Sequence, residues 1–197
     1  MSNVTVAELQ AWARLDQAVT PAQVQSAIDA VEREINTLCR RVFTTTAANA
    51  SARNYSGTGT PLIQVHDFAT TSGLVVVNFG TTVSSSSYQL EPVDGLDDSG
   101  QSVPYTAIRL VDGTVWQEGT YGATSVTITA KWGWGTTLPS TYYEAVKIAA
   151  ADLLSQRDLR NGIVGITDVA AVRIRQNPRV LSLLDGLMHP YRKWGVA

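Results

Sequence analysis

The sequence predicts an α+β chain. A helical bundle built from the N- and C-terminal segments carries an inserted small antiparallel β-domain and an extended C-terminal arm. Three observations predict it. Apolar residues recur at helical spacing from Val24 to Leu38, and short alternating runs separated by turn clusters fill residues 54–131. One stretch, Thr127 to Asp158, passes from the second pattern back to the first. The expected division is therefore 1–43 and 133–197 for the bundle, with the arm at 163–176, and 54–132 for the β-domain.

Thr5-x-x-Glu8 has the spacing of a capping box and starts a short helix through about Leu15, with Val6, Leu9, Trp12 and Ala13 on one side. Thr20-Pro21-x-Gln23 is a stronger start signal, because proline fits the first helical position and glutamine can reach back to the cap. From there Val24, Ile28, Val31, Ile35, Leu38 and Val42 form one apolar stripe, with Glu32, Arg33, Arg40 and Arg41 off it. Residues 44–53 are rich in Thr, Ala, Ser and Asn without periodicity, which predicts a linker or mobile loop.

The β-region follows. Leu62–Val65, Leu74–Phe79, Tyr88–Leu90, Ala107–Val111 and Val126–Ala130 are strand-like, and turn clusters such as Ser56-Gly57-Thr58-Gly59 and Asp97-Asp98-Ser99-Gly100 separate them. About five to seven strands at this spacing suggest a small sandwich or barrel. In Trp132-Gly133-Trp134-Gly135 the glycines break the last strand and allow a turn. Leu138-Pro139 stops any extended run, and Ser140 or Thr141 offers a cap for a helix with Val146, Ala149, Ala150, Leu153 and Leu154 on one face. That helix ends in Arg157 and Arg160 before Gly162. Residues 163–175, IVGITDVAAVRIR, are β-branched and uncapped, hence extended. Asn177-Pro178 starts a last helix with Val180, Leu181, Leu183, Leu184 and Leu187, and Pro190 stops it before a cationic aromatic tail.

Composition narrows the function. A formal charge of −2 excludes a strongly basic nucleic-acid binder. The charge is uneven, however: residues 44–131 hold three bases against seven acids (net −4), and 157–193 hold seven bases against three acids (net +4). Charge at helix ends and on solvated surface explains part of that asymmetry. The single cysteine, Cys39, lies in an apolar helical face and reads as a structural thiol. The first residues lack the basic flank and apolar run of a signal peptide, and no window reaches roughly 18 uncharged apolar residues, so a soluble cytosolic product is expected.

Chemistry is hard to place. His66 and His189 have no metal-ligand spacing, and no nucleophile-elbow motif occurs. Ser56-Gly57-Thr58-Gly59 lacks the lysine and helix that phosphate binding requires, so it reads as a turn. Asp94, Asp97 and Asp98 lack the spacing of a calcium loop. No catalytic residue, metal or cofactor is expected. Trp116, Tyr121, Trp132, Trp134, Tyr142 and Tyr143 allow two readings: a stacking platform for sugar or nucleic acid, or rings that seal a β-domain.

The ordered combination of Trp132-Gly133-Trp134, Pro139, Leu154-x-x-Arg157-Asp158, Val172-Arg173-Ile174-Arg175, Asn177-Pro178 and Pro190-Tyr191-Arg192 resembles the head-to-tail connector proteins of long-tailed bacteriophages, also called adaptor or head-completion proteins. Arg53-Asn54-Tyr55-Ser56-Gly57-Thr58-Gly59 leading into the strands agrees in outline. The resemblance implies a structural virion protein, not an enzyme. It implies a dodecameric ring of identical subunits under the portal that extends the DNA channel and helps retain the genome. It implies as partners further copies of the chain, the portal protein, a downstream connector, stopper or tail protein, and the major capsid protein. DNA would pass without sequence-specific binding, and no membrane is involved. Such a ring is made in the host cytoplasm and works at the head–tail interface during genome ejection. Ring closure needs two different complementary patches per subunit. For contact with portal or neighbour the sequence offers Ile163, Val164, Ile166, Val172, Arg173, Ile174 and Arg175 in the arm, and Tyr191, Arg192, Lys193 and Trp194 in the tail. Val24, Ile28, Val31, Ile35, Leu38, Trp132, Trp134, Leu153 and Leu154 are the expected packing residues of bundle and junction. A rival reading is a β-sandwich module with helical flanks that binds carbohydrate or protein, its sugar contacts being Trp116, Trp132 and Trp134. A third is a hydrolase using Asp94 or Asp97.

Overall fold

The computed structural model describes residues 3–14, 19–96, 100–157 and 177–188. The described chain forms two compact units, one from residues up to 41 and from 138 onward, the other from 42–137.

The first unit holds α1 (Val6–Ala13), α2 (Pro21–Cys39), α3 (Ser140–Arg157) and α4 (Pro178–Asp185). Helix α1 starts at the capping box, with Glu8 Oε2 accepting the Thr5 N–H at 2.8 Å and Thr5 Oγ1 accepting the Glu8 N–H at 3.2 Å. It stops at Ala13, where Arg14 turns left-handed at φ 49°, and Trp12 stays 43% exposed instead of joining the apolar side. At α2, Gln23 Oε1 accepts the Thr20 N–H at 3.0 Å and Pro21 takes the first helical position. The α2 stripe buries Val24, Ile28, Val31, Ile35 and Leu38, each such burial stabilising by about 1.5–3 kcal/mol. The stripe does not reach Val42, which is 57% exposed, because Arg40 at φ 53° ends the helix one turn earlier.

Helix α3 begins at Ser140 itself, with the Pro139 carbonyl accepting the Tyr142 N–H at 3.1 Å. It buries Tyr142, Ala145, Val146, Ala150, Leu153 and Leu154. Asn177 caps α4, its side chain accepting from the N–H groups of Arg179 and Val180 at 3.1 and 3.3 Å. Helix α3 packs on α2 and α4, and α1 packs on both α2 and α3, so N- and C-terminal segments share one bundle.

The second unit contains β1 (Ser51–Tyr55), β2 (Leu62–Phe68), β3 (Val75–Asn78), β4 (Thr81–Thr82), β5 (Tyr88–Glu91), β6 (Tyr105–Leu110) and β7 (Val126–Ala130). They form two antiparallel sheets, ordered β1-β7-β3-β4 and β2-β6-β5. Both sheets feed one core: Ile63, Val65 and Phe68 from β2, Ile108 and Leu110 from β6, Val76 from β3, and Val126, Ile128 and Ala130 from β7. Among the described residues, the sheets are bridged only by the isolated pair Phe68–Trp132, which favours sandwich over barrel.

The expected linker at 44–53 is corrected on two counts. Ser51–Arg53 belong to β1, and Thr44–Ala47 lie hydrogen-bonded along Trp132–Gly135. The expected arm at 163–176 falls outside the described residues.

Candidate functional site

The portal- and neighbour-facing residues expected from the sequence, Ile163 to Arg175 and Tyr191 to Trp194, lie outside the described residues, as do His189, Asp97 and Asp98. The packing residues are described. Trp132, Trp134, Leu153 and Leu154 are buried, as are the five α2 residues.

Residues 44–47 and 132–135 are the strands of chain that lead into and out of the β unit. They bond to each other in a short ladder. Trp134 N–H donates to the Thr44 carbonyl, Thr46 N–H to that of Gly135, and Ala47 N–H to that of Trp132, each at 2.8 Å. Gly133 makes the approach possible. Its φ is +138°, and a Cβ there would sit 2.5 Å from the Thr45 carbonyl oxygen and 2.7 Å from Thr46 Cα. The strand stops at Ala130 and the chain bends at Gly133, as expected, and the same glycine also permits close pairing with residues 44–47. Phe43 packs on Trp134 with ring centroids 5.3 Å apart.

Around Trp132 the rings form a sealed seam. Its indole meets Phe68 edge-on at 6.0 Å and His66 at 6.2 Å, and the Arg53 guanidinium lies 4.5 Å from its centroid. Tyr55 Oη accepts the His66 backbone N–H at 3.2 Å and shares a hydrogen bond with His66 Nδ1 at 2.9 Å. Trp132 Nε1 donates to the Ser51 carbonyl at 2.8 Å, and Trp116 Nε1 to those of Pro61 and Ile108 at 2.9 and 3.2 Å. Trp116, Trp132 and Trp134 are buried and the first two indole N–H groups are satisfied by backbone, so none of these three offers a face to a sugar.

The ionisable groups of the helical unit serve packing as well. Glu32 and Arg41, off the apolar stripe by sequence, are both buried. Glu32 Oε1 accepts the Asn3 and Val4 N–H groups at 2.7 and 3.2 Å, and Asn3 Nδ2 donates to Tyr142 Oη at 3.1 Å. Burial raises the Glu32 carboxyl above the usual carboxylate range against these two bonds. Arg41 Nη1 donates to the Leu187 carbonyl at 3.3 Å, satisfying backbone just past α4. Nothing in the residue spacing signals either contact, because both partners are distant backbone groups. Burial pushes the Cys39 thiol up to about 12, which suits a packing group and not a nucleophile.

In the β unit, Arg109 Nε pairs with Glu91 Oε1 across β6 and β5. Among the described residues no cluster of His, Cys, Asp and Glu suits a metal ion, and no helix is long and apolar enough to cross a membrane. Fold and chemistry together define an α+β scaffold whose polar groups hold segments together.

No family model matches the sequence, and no curated protein matches it. Two solved structures share the fold over nearly the whole chain. One is the neck of an empty gene transfer agent particle computed with C6 symmetry, with a TM-score of 0.57, 19% identity, and coverage of 98% of this chain and 92% of that one. The other is the virion of a native gene transfer agent particle, with a TM-score of 0.59, 18% identity and the same coverage.

Proposed function

We propose that the chain is a non-enzymatic structural protein of a phage-like virion, one copy of a dodecameric ring that sits under the portal and joins head to tail. The observation that carries this reading is the likeness in fold, over 98% of the chain, to a structure of the neck of a gene transfer agent particle. The burial of Trp116, Trp132 and Trp134 in the β unit favours it over a module that binds glycan through those rings. In this reading the bundle of 1–43 and 133–197 is the repeating body, and 54–132 is an insertion in it. The arm (Ile163, Val164, Ile166, Val172, Arg173, Ile174, Arg175) and the tail (Tyr191, Arg192, Lys193, Trp194) reach the portal or the next copy. A portal-bound ring extends the channel and meets the next connector, stopper or tail protein below.

Electron microscopy of the purified protein mixed with portal-bearing particles tests it. A closed ring at the portal vertex is the expected image. Particles with bare portals beside free monomer would refute the assignment.

A further inference from the structure

The end of the β unit opposite Lys131 is built unlike the rest of its surface. The β3–β4 hairpin closes through Phe79 at φ 48° and Gly80 at φ 80°, a two-residue turn that normally takes Asn or Asp before glycine. A left-handed conformation at a bulky residue costs about 1–2 kcal/mol. Phe79 nevertheless stands 58% exposed, whereas Phe43 and Phe68 are buried. In the 117–125 loop, whose two ends bond to Asn78 and Phe79, Tyr121 repeats the pattern: φ 54°, between Thr120 and Gly122, and fully exposed. Neither ring contributes to the core, so the strain is not offset by local burial.

Hydrogen bonds tie both loops to one end of the unit. Phe79 N–H donates to the Ser125 carbonyl at 2.7 Å. Asn78 Nδ2 donates to the Val115 carbonyl at 3.0 Å, and its Oδ1 accepts the Gln117 N–H at 3.2 Å. Val115 is itself exposed. Apart from Arg109, which is paired with Glu91, the charge at this end is acidic. No charged residue lies between Asp67 and Glu91, and residues 110–130 carry only Asp112 and Glu118, both exposed. Thr114 hydrogen bonds hold the Asp112 carboxyl below its ordinary value, so it stays ionised. The bases of the unit are distant or paired: Arg53 lies over Trp132, Lys131 lies past the far end of β7, and Arg109, one residue from the end of β6, is neutralised by Glu91.

An apolar, acidic patch of this kind fits an aromatic, basic strand of chain. The sequence contains one: Tyr191-Arg192-Lys193-Trp194, within the nine residues after Met188, where the described chain stops. Fully extended, nine residues span about 30 Å. We infer that the Phe79–Val115–Tyr121 end of the β unit is the docking surface for the C-terminal segment of a second copy of this chain. This rests on the ring reading above and supplies one pair of its two unlike patches.

The full-length protein tests the inference as an equal mixture of unlabelled and ¹⁵N-labelled chains, concentrated until it assembles or bound to portal-bearing particles, and joined by a zero-length carbodiimide cross-linker. Lys193 should link to Asp112 or Glu118 in peptides of mixed isotope. The double variant F79N/Y121N suits the left-handed turns, so its melting temperature should hold or rise. Its mixed links should fall about tenfold or more, as when apolar anchors are truncated at an interface. Assembly with Lys193 linked only within one isotope, or with the variant linking as well as the parent, would overturn the inference and leave the ring standing. Failure to assemble in either setting would remove the ring reading and this inference with it.

Discussion

The indole N–H of Trp132 donates to the carbonyl of Ser51 at 2.8 Å, so a residue just past β7 fastens the beginning of β1. The same ring lies under Arg53 and against Phe68. Replacing it with alanine removes a buried aromatic and a donor together. Trp132→Ala should cost about 3–5 kcal/mol, read as a lowered urea midpoint. Trp132→Phe, which keeps a ring without the donor, should lose clearly less. Equal losses would mean that the hydrogen bond, not the packing, holds the seam.

Gly133 and Gly135 make a matched pair of tests. A Cβ at Gly133 collides with Thr45 backbone at a φ that side chains rarely adopt, whereas at Gly135 the nearest atom is 3.7 Å away. Gly133→Ala should therefore cost at least about 1–3 kcal/mol and lower Tm by several degrees, and Gly135→Ala should change it little. Comparable melting of the two variants would count against the ladder between residues 44–47 and 132–135.

What was legible in the sequence was what local chemistry encodes. The capping signals at Thr5, Thr20 and Asn177, the α2 stripe to Leu38 and five of the strands are properties of neighbours in the chain. Val42 was misplaced because its spacing continues a stripe that Arg40 ends by turning left-handed. Strand β1 was hidden because SARNY has no apolar alternation: as an edge strand it buries none of its side chains fully and pairs through backbone. Glu32 and Arg41 were hidden for a related reason. Their partners are backbone groups 28 or more residues away, which no spacing can announce.

The Glu32 latch has a sign that distinguishes it from an ordinary surface carboxylate. Burial raises its folded-state pKa above the unfolded value, so its contribution is fully present below the unfolded pKa and is lost as pH rises through the folded one. Relative to Glu32→Gln, which keeps an acceptor for Asn3 and Val4 without the charge, the parent should gain stability on acidification from neutral. Paired denaturation curves across that range check this. Glu32→Leu leaves two buried N–H groups without their acceptor and should cost about 1–3 kcal/mol at any pH. A parent that loses stability relative to Glu32→Gln on acidification would reverse the argument.

Cys39 should be silent toward thiol reagents while the bundle is closed. Its thiol is buried and pushed up to about 12, so at pH 8 only about one molecule in ten thousand is thiolate. Labelling should appear only with denaturant and follow the unfolding curve. Rapid labelling in native buffer would show that α2 opens at its C-terminal end.

Deleting residues 163–176 should leave the helical unit folded and remove its ability to join portal-bearing particles. The geometry of α3 and α4 makes the first half of that expectation concrete. Asn177 Nδ2 donates to Asp152 Oδ2 at 2.7 Å, so α4 starts beside a point five residues before the end of α3, about 8 Å back along its axis. The five residues 158–162 left between Arg157 and Asn177 reach about 17 Å when extended, enough to turn and cover that distance. The Asn177 cap and the burial of Val180 and Leu184 can therefore persist in the shortened chain. Its melting temperature should stay within a few degrees of the parent's, and sedimentation with particles should drop to background. A shortened chain that still binds the portal vertex would take recognition away from the arm and leave it to the tail.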